Sequence, residues 1–471
     1  MMVAVRTRIV HIPEPIPLGW TLRPADVIDA WPADRPICAL VSGSPAHESR
    51  WSIIAAPVAA SDDGPGAHAD PLAPLGGAAG DAAPMDPDAP PFHGGWIGWL
   101  GYELGRLIEP AAAAADGRHP VNDRGWPAMR LLRCPGAYVH DALSGRWWIT
   151  GDGSALPAID PARVAVVDRG AFIAGALRSA SGREVYERSV ADVIGRIGAG
   201  DVFQVNLSHR LSCEFAGSPR TLFGRLLEAT GAWRAALIED MAPGRAVLSV
   251  SPELFFDFDA RSRRVVTRPI KGTRPGNADP RELIESEKDA AELVMIVDLM
   301  RNDIGRVCEP GSVRVDEART IERHGGVGAL ADAGVLHGVA TVSGRVREGL
   351  TAADIVRAAF PAGSITGAPK IKAMQIIEEL EPTARGPYCG SVGFVSDCGR
   401  SVFNVAIRTG AIAGESESGL YDGVRGALDY PVGAGIVADS DPAMEWRETL
   451  AKAAAFSRIV EAAAAPARAG V

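Results

Sequence analysis

Thr267-Arg268-Pro269-Ile270-Lys271-Gly272-Thr273-Arg274, preceded by Glu253-Leu254-Phe255-Phe256-Asp257-Phe258, is the stretch from which the fold can be read. The earlier run alternates aromatic and acidic residues as a hairpin strand does, and Pro269 and Gly272 supply turn chemistry. Lys271 is therefore expected in a rigid loop just after a strand. A lysine held in this way is either a solvated surface residue or a nucleophile, and these residues alone leave both readings open.

Working outward, residues 184–200 carry Val185, Val190, Val193, Ile194 and Ile197 at helical spacing before Gly198 and Gly200 stop the helix. Phe203-Gln204-Val205-Asn206-Leu207-Ser208-His209 then alternates as a strand, with Gln204, Asn206 and Ser208 on one face. Residues 286–304 form a second helical pattern in which Asp289 and Glu292, three apart, are neighbours on one face. Asp441-Pro442 opens a third, carrying Glu445 and Glu448. Acidic residues on a surface helix are the ordinary reading of each pair. Residues 92–103, dense in glycine and tryptophan, read as closely packed strands. Residues 59–91 are built of Ala, Gly, Pro and Asp with almost nothing to pack, and are expected to be a mobile insertion.

Three further segments could hold a ligand. Gly363-Ser364-Ile365-Thr366-Gly367-Ala368-Pro369-Lys370 runs into a helix over 371–380, and its backbone N–H groups could bind an anion, although Walker A spacing is absent. Val432-Gly433-Ala434-Gly435-Ile436 lets a ligand approach the backbone closely. Arg408, expected on a strand over 404–409, wants a carboxylate, either internal or a substrate's.

The chain has 471 residues, 47% hydrophobic and 23% charged, with a net charge of −10. That length allows roughly two to four domains. The charge disfavours nucleic acid. No window is apolar enough for a signal peptide or a membrane span, so the reading is cytoplasmic with no membrane partner. The six cysteines show no paired ligand spacing, and Pro387-Tyr388-Cys389-Gly390 lacks the elbow of an amidotransferase nucleophile.

Together these segments resemble the chorismate-utilising enzyme family, which includes anthranilate synthase component I, the component I of aminodeoxychorismate synthase, isochorismate synthase and salicylate synthase. The resemblance covers nearly all of 182–453, through residues 200–208, Ser251-Pro252-Glu253-Leu254-Phe255, Glu285-Ser286-Glu287-Lys288-Asp289, residues 297–303, the 363–370 loop and residues 433–440. It is looser over 94–103. It implies an α+β fold, two domains around stacked antiparallel β-sheets flanked by helices, with an amino-terminal region over 1–165 and a chorismate-binding catalytic domain over 182–465.

The resemblance also implies a site. Glu292 and Glu448, supported by Asp289 and Glu445, match the ligands of one Mg²⁺ that binds the ring carboxylate of chorismate. Gln204, Thr273, His337, Thr366, Gly367, Tyr388, Arg408, Gly433, Ala434 and Gly435 match substrate-binding positions. Glu253 matches the general acid for the departing 4-hydroxyl. Gln204 stands where isochorismate and salicylate synthases keep a water-activating lysine, so water is not the implied nucleophile. The Pro-Ile-Lys-Gly-Thr motif at 269–273 matches the aminodeoxychorismate branch, in which the lysine attacks C2 and ammonia then adds at C4. Anthranilate synthases typically have alanine at the position of Lys271. Lys271 must lose a proton to attack, which burial and a nearby cation favour.

The implied reaction is conversion of chorismate and ammonia to 4-amino-4-deoxychorismate, a transaminase-type amination leading to 4-aminobenzoate and folate. A separate glutamine amidotransferase subunit is the implied ammonia donor. The alternatives are anthranilate formation and a non-catalytic chorismate-binding subunit. The chain departs from the family at residues 327–333, which read as an insertion ahead of His337-Gly338-Val339-Ala340. It also has Ala291 and Leu293 beside the metal carboxylate, and Leu40-Val41-Ser42-Gly43 lacks the glutamate of the tryptophan-binding motif.

Overall fold

The computed structural model describes residues 13–42, 49–61, 70–76, 88–114, 117–162, 171–325 and 334–464. Its longest ladder pairs Gln204–Gly217 with Val424–Ile436, antiparallel and in register from Val205 opposite Ile436 to Gly217 opposite Val424. Around that ladder the described residues form a thirteen-stranded sheet. A second sheet of ten strands begins at Ile270–Pro275 and runs through Val335–Arg345, Arg264–Arg268, Leu254–Asp259, Arg400–Asn404 and Ser391–Ser396 to the amino-terminal strands. The two sheets stack: Ile97, Trp99 and Leu132 of the second share one buried cluster with Ile53, Val139 and Val247 of the first.

Helices cover the remaining faces. Arg183–Gly198 buries Tyr186, Val190 and Val193, one stripe at helical spacing. Glu287–Gly305 is capped by the Ser286 hydroxyl, which accepts from the Asp289 N–H at 3.2 Å, and it buries Leu293, Ile296, Met300 and Ile304. Pro442–Ala464 packs on Arg183–Gly198 and on Val424–Ile436.

Both sheets draw on both ends of the chain. Cys38–Val41 pairs with Arg234–Glu239, and Gly95–Leu100 pairs with Ser391–Ser396, so the regions 1–165 and 182–465 share each sheet. Residues 163–170, at the expected boundary, lie outside the described residues.

Several expectations change. Lys271 is not in a loop but on the strand Ile270–Pro275, which pairs with Val335–Arg345 through a register shift between Ile270 and Thr273. Gly272 sits in that bulge at φ +81°, a conformation only glycine adopts freely. Arg408 is not on a strand: the chain crosses from Arg400–Asn404 in one sheet to Thr409–Ser416 in the other, and Arg408 takes φ +50° in the crossing. Residues 92–103 supply one strand, Gly95–Leu100. Within 59–91, Ala59–Ala60 is a strand paired with Met129–Cys134, and Leu72 and Leu75 are buried in the core, so this part packs after all. Residues 62–69 and 77–87 of that stretch, and the insertion read at 327–333, lie outside the described residues.

One buried ion pair ties the main ladder to the 363–365 turn. Arg385 donates to Glu381 through Nε at 2.8 Å and Nη2 at 2.7 Å, to the Asn206 carbonyl at 2.7 Å and to the Ile365 carbonyl at 3.1 Å. Arg385→Met leaves the buried Glu381 carboxylate without its cation, which costs about 3–5 kcal/mol. A urea titration should show a matching fall in midpoint, and an unchanged midpoint would contradict this account.

Candidate active site

Lys271 rises from the bulge toward the neighbouring sheet. Its Nζ lies 2.6 Å from Glu292 Oε2, and the lysine side chain is only 22% exposed. A Cβ placed on Gly435 would come within 3.1 Å of that Nζ and 3.2 Å of Gln204 Nε2, so the lysine, Gln204 and the glycine backbone of Val424–Ile436 meet at one point. Gln204 is buried, and its Oε1 has no hydrogen-bond partner. Asn206, on the same face, likewise leaves Oδ1 unpartnered while Nδ2 donates to the Ser364 carbonyl at 3.4 Å. Buried acceptors without donors are costly unless a ligand fills them.

Glu253 immediately precedes the strand Leu254–Asp259 and is 3% exposed. Burial pushes its carboxyl up to about 7, against the opposing pull of the Ser364 hydroxyl, the Ile270 backbone N–H, Lys271 and Arg234. A carboxylic acid with that value holds its proton near neutrality and can deliver it to a leaving group. Ser364 Oγ donates to Glu253 Oε1 at 2.6 Å. The sequence reading placed Ser364 in the anion-binding loop and gave it no role, and only the fold brings it to the acid.

The four acidic residues expected around a metal are placed differently from one another. On the Glu287–Gly305 helix, Glu292 faces Lys271, whereas Asp289 accepts from Arg274 Nη2 at 2.9 Å. On the Pro442–Ala464 helix, Glu445 accepts from Ser440 Oγ at 2.6 Å, and burial raises its carboxyl. Burial also pushes Glu448 upward, but Lys452, Lys271 and Lys288 together hold it below the ordinary value. Glu292 and Glu448 therefore both lie in the field of Lys271. Among the described residues no three ligand-type side chains gather as a metal cluster. Two carboxylates completed by water and substrate are nonetheless how Mg²⁺ is commonly held, so the donor set fits that ion.

Thr273, two residues after the lysine on the same strand, leads to His337 and Arg408. His337, almost fully buried, shares a hydrogen bond with Thr273 Oγ1 at 3.0 Å through Nδ1, and its Nε2 is 3.5 Å from Arg408 Nη2. Burial and the Arg408 charge drive His337 well below its ordinary value, leaving the ring neutral. Among the described residues no carboxylate pairs with Arg408. The ladder between Thr409–Ser416 and Val424–Ile436 ends at Ala411 opposite Asp429, so Gly433, Ala434 and Gly435 have one edge without a strand partner there. Tyr388 is buried in the core beside Arg385 and Cys389.

The 363–370 loop behaves otherwise than as an open anion site. Lys370 Nζ donates to Asp303 Oδ2 at 2.6 Å and to the Ala359 carbonyl at 2.9 Å, so the charge at this helix start is already matched. The Thr366 hydroxyl donates to the Ala362 carbonyl at 3.1 Å, and Gly367 pairs with Val205.

The fold agrees with comparisons to known proteins. The family model for chorismate binding enzymes matches residues 38–458. Anthranilate synthase component 1 of Streptomyces coelicolor is 39% identical over 437 residues, covering 84% of this chain and 80% of that one. Aminodeoxychorismate synthase component 1 of Klebsiella aerogenes is 40% identical over 369 residues, covering 77% and 76%. The crystal structure of anthranilate synthase component I from Streptococcus pneumoniae superposes with a TM-score of 0.71 at 28% identity, covering 88% of this chain and 93% of that one. The isochorismate synthase MenF of Escherichia coli, 15% identical, shares the fold with a TM-score of 0.64, covering 96% and 94%. The match extends over most of the chain, and the chain belongs to the chorismate binding enzyme family.

Proposed function

We propose that this chorismate-utilising enzyme is the chorismate-aminating component of an aminodeoxychorismate synthase. The observation that carries the reading is Lys271, held on a bulged strand with its Nζ beside Gln204 and Glu292 and in the field of the buried acid Glu253. Relatives named for both reactions match at similar identity, so the choice between them rests on this lysine.

In the proposed reaction Lys271 Nζ, once deprotonated, attacks C2 of chorismate while Glu253 protonates the departing 4-hydroxyl, which leaves as water. Ammonia then adds at C4 and expels the lysine as the ring double bonds return, giving 4-amino-4-deoxychorismate. Gln204, an amide, cannot take a proton from water, which favours an amine over water as nucleophile. Arg408 and the open backbone edge at 433–435 would hold substrate carboxylates. Glu292 and Glu448 would hold Mg²⁺, which when bound neutralises the ring carboxylate. A glutamine amidotransferase subunit is the proposed source of ammonia, in keeping with relatives named as component 1.

Chorismate, Mg²⁺ and ammonium incubated with the protein should give 4-amino-4-deoxychorismate, converted to 4-aminobenzoate when a separate lyase is added. Release of 2-aminobenzoate without a lyase would assign the chain to anthranilate synthesis instead. Lys271→Ala should remove aminodeoxychorismate formation, and full retention would refute the nucleophile. Gly435→Ala brings a methyl into the space between Lys271 Nζ and Gln204 Nε2; steady-state kinetics should show kcat falling by about tenfold or more while the melting temperature changes little. A methyl without kinetic effect would show that this contact does not position the lysine.

A further inference from the structure

We propose that Ser364 is a positioning residue for Glu253: its hydroxyl fixes one oxygen of the acid's carboxyl and so sets both its orientation and its strength. The inference rests on the reading of Glu253 as general acid. Ser364 lies in the Gly363–Ile365 turn, 111 residues along the chain from Glu253, and donates to Oε1 at 2.6 Å. The turn is pinned independently of the acid, since Asn206 Nδ2 donates to the Ser364 carbonyl and Arg385 Nη1 donates to the Ile365 carbonyl at 3.1 Å. The hydroxyl therefore meets the carboxyl from a fixed base.

The other groups around the carboxyl are the Ile270 backbone N–H, the cations Lys271 and Arg234, and the Cys389 thiol. Of these donors only the serine is a side-chain hydroxyl, so it can be removed without changing charge. A donor to the ionised form favours that form. With Ser364 in place, burial still leaves Glu253 protonated near neutrality but weakens it less than burial alone would. Loss of the hydroxyl makes Glu253 a weaker acid and frees its carboxyl to rotate.

The sign of the effect follows. Glu253 acts while protonated, so the rate is high below its titration and falls above it. In Ser364→Ala the alkaline limb of kcat, measured at fixed free ammonia, should move upward by about one pH unit, with kcat down by about tenfold on its plateau. Ser364→Thr, which keeps a hydroxyl, should leave the limb at the wild-type position. Ser364→Cys, nearly isosteric with a far weaker donor, should move it in the same direction as alanine and serves if the alanine variant folds poorly. An unmoved limb in the alanine or cysteine variant, or an equal movement in the threonine variant, overturns the proposal, because a purely structural role lowers the rate without moving the limb. Glu253→Gln separates the two readings: if it keeps wild-type activity, the acid assignment itself falls.

Discussion

The pairing of Gln204–Gly217 with Val424–Ile436 is the constraint on which the site depends. Side chains alternate along a strand, so a slip of one residue would turn Gln204, Asn206 and Ser208 to the opposite face. The thirteen consecutive pairs from Val205–Ile436 to Gly217–Val424 make such a slip costly. That register sets Asn206 opposite Gly435 and Ser208 opposite Gly433, so polar side chains stand beside backbone with no side chain of its own. The space left over the glycines is where Lys271 arrives from the other sheet.

A second local feature makes that arrival possible. Were Ile270–Pro275 regular, Lys271 would alternate with its neighbours in the ladder to Val335–Arg345. The bulge between Ile270 and Thr273 adds a residue and re-aims the lysine, and glycine at 272 accepts the backbone conformation this requires. The same strand is also gripped by the Glu287–Gly305 helix at two points, Lys271 to Glu292 and Arg274 to Asp289. Asp289 is thus occupied in holding the strand to the helix, while its neighbour Glu292, one turn away, faces the lysine. Two carboxylates that are equivalent by helical spacing acquire different work from the strand they meet.

What the sequence made legible was local. The helical pattern read over 286–304 is the helix Glu287–Gly305, and the polar face of Gln204 and Asn206 shows in the alternation. The strand identity of Lys271 was hidden because Pro269 and Gly272 punctuate a bulge with the same residues that punctuate a loop. Arg408 looked like a strand residue because its neighbours are apolar, but those neighbours are buried in a crossing between two sheets. Leu72 and Leu75 were lost among alanine, glycine and proline, although two leucines are enough to anchor a turn. The contact of Ser364 with Glu253 spans 111 residues and has no local signature at all.

Lys271 gives the acids around it a division of labour that neither composition nor spacing contains. Glu292 touches the ammonium at 2.6 Å and is partly exposed to solvent, so its negative charge is matched. Glu253 feels the same ammonium from within the core, where desolvation outweighs the attraction and the carboxyl keeps its proton near neutrality. A single lysine thus stands between a matched carboxylate and a buried carboxylic acid. Burial, rather than residue type, separates the group suited to binding positive charge from the group suited to giving up a proton.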